Sequence, residues 1–155
     1  MASGATQLIE KTTPMLLEKT ELPVVAIDEM NKTHENEVEI INALYKLITA
    51  YRDGQPVETE LSAAVEQFGA HVEHHFSREE QMMEQYGFPA YQVHKSEHDR
   101  VRFELQALLN AWSEGKNIAP LADYLENIHP VWAKNHIATM DMMTAMFIKQ
   151  TSGSY

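Results

Sequence analysis

A chain of 155 residues, 44% of them hydrophobic, suits one domain large enough to enclose a core without cross-links. Its formal net charge of −11, from 12 basic and 23 acidic residues, argues against a phosphate-binding surface, so no nucleic-acid partner is expected. The chain contains no cysteine, which excludes disulfides, thiolate zinc sites, iron–sulfur clusters and cysteine nucleophiles.

At the N-terminus, Glu10, Lys11 and Glu18 interrupt the stretch where a signal peptide would need an apolar run. No run of about 18 apolar residues exists, so no membrane partner is expected. A cytoplasmic location follows as the simplest expectation. Residues 1–22 read as an arm lying across the domain, 23–150 as the domain proper and 151–155 as a flexible tail.

Turn and helix-stop clusters at Asp53-Gly54-Gln55-Pro56, Gly87-Phe88-Pro89 and Ser113-Glu114-Gly115-Lys116-Asn117 divide the domain into four segments. Each segment carries a helical period. The first runs His34, Val38, Ile41, Tyr45, Ile48. The second runs Leu61, Val65, Phe68, Val72, His75, Glu79, Met82, Tyr86. The third runs His94, His98, Val101, Leu105, Leu108, Trp112. The fourth runs Leu121, Leu125, Ile128, Trp132, His136. Short connections make sequential helices antiparallel, so the expected fold is all-α: an antiparallel up-down-up-down four-helix bundle with an N-terminal arm.

The seams carry an anomaly. His34, His75, Glu79, His94, His98 and His136 stand where the pattern calls for Leu, Ile or Phe. Buried without partners, such groups would cost on the order of several kcal/mol apiece. One buried histidine is usually just a hydrogen-bonded core residue, and His75–Glu79 alone could be an ordinary helix-face pair. The recurrence on all four helices points instead to a metal. Imidazoles and carboxylates without thiolates suit Fe, Mn, Zn or Cu better than Ca or Mg, and the set is too large for one tetrahedral zinc. The alternative di-metal plan of helical bundles needs two Glu-x-x-His motifs. Only Glu126-Asn127-Ile128-His129 matches it, with Pro130 following directly.

With those residues laid out, the chain resembles the hemerythrin family, specifically its single-domain bacterial members. The resemblance rests on His34 in Met30-Asn31-Lys32-Thr33-His34 and on His75-Phe76-Ser77-Arg78-Glu79-Glu80-Gln81-Met82-Met83. It continues through His94-Lys95-Ser96-Glu97-His98-Asp99 and Trp132-Ala133-Lys134-Asn135-His136-Ile137 to Asp141. It implies two iron ions, one held by His94, His98 and His136 and the other, with an open position, by His34 and His75. Glu79 and Asp141 would bridge them together with a solvent-derived oxo or hydroxo group. The implied partner is dioxygen or another small diatomic, bound at the open iron for storage, delivery or scavenging. The implied assembly is a monomer or weak homo-oligomer. A redox enzyme on the same centre, a peroxidase, oxidase or nitric oxide reductase, is the alternative. A sensory module ranks last, because such sensors are usually fused to signalling domains.

Several residues modulate that picture. On a straight helix His136 and Asp141, five residues apart, would diverge by about 140°. A π-type bulge between them is therefore predicted. Glu37 lies three residues after His34, where the family usually places an apolar residue. Either helix rotation turns it into solvent, or its carboxylate reaches the open iron or a ligand there and gates the pocket. Val38, Trp132 and Ile137 are the candidate walls of the gas pocket, or simply core residues. Pro130 either kinks and restarts the fourth helix or marks a plain boundary. His71, His74 and His129 match no ligand position and read as surface residues or as supports behind the ligands. Met140, Met142, Met143 and Met146 read as core filling and not as a copper site.

Overall fold

The computed structural model describes residues 15–153. The expected arm residues 1–14 and the last two residues of the expected tail lie outside the described residues. A 3-10 turn, Lys19–Glu21, precedes helix α1, Asp28–Arg52. Helix α2 spans Glu58–Tyr86, α3 Tyr91–Gly115, α4 Ala119–Asn127 and α5 His129–His136. A π-helical turn, Ile137–Asp141, leads into α6, Met142–Ser152. There are no strands among the described residues, and none of their helices is long and apolar enough to cross a membrane.

The helix ends sit where local chemistry stops a helix. Helix α2 closes on Gly87, whose φ of 66° places it in the left-handed region that glycine reaches without strain. Within α2, Gly69 meets α3 closely: a Cβ there would lie 2.8 Å from Leu109 Cδ1, so the missing side chain sets how near the two helices come. Cross-helix pairs fix the antiparallel order. From one end of α2–α3 to the other they are Trp112 Nε1–Ser62 Oγ at 3.1 Å, Arg102 Nε–Glu73 Oε2 at 2.8 Å and His98 Nδ1–Glu80 Oε2 at 2.8 Å. Rising numbers on one helix meet falling numbers on the other.

The first three segments match their expected helices. The fourth is broken. Pro130 lies in the first turn of α5 and has no N–H to give to the Glu126 carbonyl, so α4 ends at Asn127 and the chain restarts at His129. The break corrects the expected seam: Ile128 sits at the junction and is 41% exposed, while Leu121 and Leu125 are fully buried. The π turn stands where the spacing required it, with Met142 N–H donating to the Ile137 carbonyl five residues back. The expected tail also begins later, since Thr151 and Ser152 still belong to α6.

The described part of the arm packs against α1. Leu17 is buried, the Leu16 and Leu17 amides donate to Asn42 Oδ1, and Asn42 Nδ2 returns a bond to the Leu17 carbonyl. Inside the bundle the core falls into two apolar blocks. One gathers Leu44, Ile48, Phe68, Leu105, Trp112 and Leu121. The other gathers Val25, Met30, Met82, Ile137 and Ile148. His34, His75, Glu79, His94, His98, His136 and Asp141 form a buried polar layer that belongs to neither block.

Candidate metal centre

Each helix delivers its polar residue by simple periodicity. His75 and Glu79 are one turn apart on α2, and His94 and His98 one turn apart on α3, so each pair faces one way. His34 comes from the second turn of α1 and His136 from the end of α5. The π turn swings Asp141 back onto the face of His136, whose Nε2 lies 3.1 Å from Asp141 Oδ1.

These seven residues converge as two overlapping groups. Ligand-capable atoms of Glu79, His94, His98, His136 and Asp141 all lie within 4.8 Å of one another, and so do those of His34, His75, Glu79 and Asp141. Glu79 and Asp141 are common to both, and each divides its oxygens between them. Glu79 Oε1 faces His94 Nε2 at 3.5 Å and His98 Nε2 at 3.4 Å, while its Oε2 faces His75 Nε2 at 2.7 Å. Asp141 Oδ1 faces His94 Nε2 at 3.0 Å, while its Oδ2 faces His34 Nε2 at 3.0 Å.

Many of these close approaches are not hydrogen bonds. His34 Nε2, His98 Nε2, Glu79 Oε1 and both Asp141 oxygens are buried without a hydrogen-bond partner, although charged atoms lie near enough to count as ion pairs. Donor atoms that crowd a common centre without pointing at one another are disposed to share something placed between them. His94 Nε2 and His136 Nε2, 3.1 Å apart, are by contrast within hydrogen-bond geometry of one another. A cation accepts every one of these lone pairs, so the donor set fits a metal pair.

Electrostatics agree. With protons as the only counter-charge, burial pulls His34 down, but Asp141 and Glu79 outweigh it and raise the imidazole to about 9. Burial likewise lowers His94, and the same two carboxylates lift it to about 9. Burial works against ionising Glu79, yet the facing imidazoles, His75 first, hold it well below the usual carboxylate range. Asp141 is also lowered: burial and the Glu79 charge push it up, and His136, His34 and His94 prevail. Protons thus occupy the layer in the role a divalent cation would take.

The outer faces of the imidazoles are anchored. His94 Nδ1 pairs with Thr144 Oγ1 at 2.8 Å, and His98 Nδ1 with Glu80 Oε2 at 2.8 Å, where the Arg102 guanidinium also reaches Glu80 at 2.8 Å. Phe76 stacks on His98 at 4.0 Å between centroids, and Trp132 on His136 at 4.6 Å. Such contacts fix ring orientation.

The remaining candidates are placed as follows. Glu37 is buried, not turned into solvent. Its Oε1 lies 3.3 Å from His75 Nδ1, the nitrogen facing away from the cluster, so it backs a candidate ligand; it belongs to neither of the two groups above, but its carboxylate gathers with His71 and His75 as a third, smaller set of ligand-capable atoms. His129, 1% exposed, is wholly interior: Tyr124 Oη meets its Nδ1 at 2.8 Å and its Nε2 lies 3.6 Å from Glu37 Oε2. His71 is half-buried with Nε2 3.7 Å from Glu37 Oε1, and His74 is exposed. Of the expected pocket walls, Trp132 backs His136 at the three-histidine end, Ile137 packs with Met30 and Met82, and Val38 is buried. Sequence reasoning missed the carboxylate of Glu80 and the hydroxyl of Thr144 behind the ligands, and the hydroxyl of Tyr124 behind His129. Only helical spacing hinted at Glu80, which follows Glu79 directly, and nothing distinguished Thr144 or Tyr124 from other polar residues.

Fold and donor set together define a helical-bundle protein with a buried cation site built from imidazoles and carboxylates. The chain belongs to the hemerythrin family: the model of the Hemerythrin HHE cation binding domain matches residues 25–147. Among similar proteins is a "Bacteriohemerythrin" of Aquifex aeolicus (strain VF5), 29% identical over 131 residues, covering 84% of this chain and 96% of that one. Another "Bacteriohemerythrin", of Ralstonia nicotianae (strain ATCC BAA-1114 / GMI1000), is 30% identical over 108 residues, covering 70% of this chain and 76% of its own. No solved structure gives a significant match.

Proposed function

We propose that the protein is a di-iron protein that binds dioxygen reversibly at the two-histidine end of its polar layer. One observation carries this reading: each of the two carboxylates, Glu79 and Asp141, turns one oxygen to His94, His98 or His136 and the other to His34 or His75. Carboxylates so placed could serve two ions at once. His94, His98 and His136 would hold one ion, and His34 and His75 would hold the other with one protein donor fewer, leaving room there for an exogenous ligand. Absence of thiolates and the wealth of imidazoles favour iron among redox-active metals.

A pair of iron ions held there would supply reversible electron exchange with a bound diatomic. The chain supplies position and insulation. Thr144 and Glu80 hold the imidazoles of His94 and His98 in one tautomer, with Nε2 free to ligate. Met30, Met82 and Ile137 form the apolar block beside His34, and Val38 lies one turn beyond it. Excluding water there keeps charge separation costly, which favours release of the neutral diatomic. The name shared by the two relatives is consistent with this reading.

The test is optical. Iron-loaded protein, reduced without oxygen and then exposed to air, should develop charge-transfer bands that vanish under argon and return with air through repeated cycles. Conversion to the ferric form on first exposure, with no reversible bands, would replace carriage by redox turnover. Burial of Glu37 behind His75 makes that second reading specific.

A further inference from the structure

The outer nitrogens of the candidate ligands are not treated alike. At the three-histidine end, His98 Nδ1 leans on Glu80, and Glu80 is itself met by the Arg102 guanidinium at 2.8 Å. Its negative charge is shared before it reaches the imidazole. His94 Nδ1 leans on a neutral hydroxyl, Thr144 Oγ1. At the two-histidine end, His75 Nδ1 lies 3.3 Å from Glu37 Oε1, and Glu37 is 6% exposed. The groups facing this carboxylate are imidazoles: His75, His71 at 3.7 Å from Oε1 and His129 at 3.6 Å from Oε2. Tyr124 Oη holds His129 from behind.

We propose that Glu37 is a positioning residue: it accepts the Nδ1 proton of His75, makes that imidazole a stronger donor through Nε2, and so biases the two-histidine ion toward its oxidised state. This inference rests on the di-iron reading and gives that centre a built-in asymmetry. A carboxylate hydrogen-bonded behind a ligating imidazole raises its basicity, and loss of such a partner typically weakens metal binding roughly 10–100-fold. Glu80 does this less than Glu37, because Arg102 draws on the same oxygens. His71 and His129 flank the carboxylate, 3.7 Å from Oε1 and 3.6 Å from Oε2. The expectation that Glu37 reaches the open position is thereby replaced. It acts through His75.

The experiment uses intact protein in two metal forms. In zinc-loaded wild type, which is diamagnetic, nitrogen-edited NMR should find the His75 Nδ1 proton present and strongly downfield, as for a bond to a carboxylate. In Glu37→Gln, which keeps the side-chain length, that resonance should move upfield. In the iron-loaded proteins Glu37→Gln should raise the midpoint potential of one of the two ions and slow oxidation of the ferrous form in air several-fold. Glu80→Gln should move both quantities less. A wild-type protein that takes up two ions, but whose His75 proton and potential are the same with Glu37→Gln, overturns the role of Glu37 alone. Fewer than two ions per chain in the wild type overturns both this role and the di-iron reading.

Discussion

The apolar block around Trp112 and the polar layer around Asp141 occupy the same bundle and obey opposite rules. In the first, Leu44, Ile48, Phe68, Trp112 and Leu121 bury hydrocarbon, and the one polar atom of Trp112 is satisfied by Ser62. In the second, five imidazoles and two carboxylates are equally buried, and five of their polar atoms among those facing the centre lack a hydrogen bond: His34 Nε2, His98 Nε2, Glu79 Oε1 and both Asp141 oxygens. The contrast teaches where stability comes from. The Trp112 block holds the helices together whatever is bound, whereas the layer is stable only to the extent that protons or cations neutralise it.

Cutting into the apolar block should produce the largest loss. Trp112 is 2% exposed and packs edge-on against Tyr51, 5.1 Å between centroids. Trp112→Ala should cost about 3–5 kcal/mol in chemical denaturation, yet leave the number of metal ions per chain unchanged. If metal content fell in proportion, the two regions would not be separable.

Stripping the metal should come next. A ligand present at about 100 times its Kd stabilises the folded state by about 2.7 kcal/mol. Removing it with a chelator should lower the Tm, and the lowering should disappear when His98 and Asp141 are both replaced by apolar residues. A Tm indifferent to metal in the wild type would mean that the layer is satisfied by protons alone.

The pH dependence should be smaller and of opposite sign in the two forms. Without metal, His34 and His94 sit at about 9, raised from about 6.5 by Asp141 and Glu79 in spite of burial. A raised folded-state value means stabilisation that is complete below about 6.5 and lost as the pH climbs through about 9. The metal-free protein should therefore lose stability steadily between those limits. The loaded protein should gain over the lower part of the range, because a cation needs the imidazoles unprotonated. Urea denaturation of both forms across pH 6–9.5 gives the two slopes directly.

How much of this was legible beforehand differs by region as well. Helices α1 to α3 could be read from periodicity because apolar burial repeats every three or four residues. The π turn could be read because His136 and Asp141, five positions apart, cannot share a face of a regular helix. The break at Ile128 was harder: it keeps the apolar spacing of a continuous seam, and only Pro130 betrayed it. Glu37 could not be decided, since three residues from His34 is compatible with either side of the helix until the packing of α2 and α5 fixes its rotation. His129 could be read as a surface residue or as a support behind the ligands, because its burial depends on that same break, which aims it at Tyr124 and Glu37. Spacing within a helix encodes which residues share a face. What stands behind an imidazole comes from other helices, at a rotation that no single segment records.

Anomalous diffraction from crystals of the iron-loaded protein, recorded at the iron edge, puts the account to its most direct test. Two iron peaks should appear in the polar layer, one among His94, His98 and His136 and one between His34 and His75, with Glu79 and Asp141 reaching both. A single peak, or iron lying outside this layer, would contradict it.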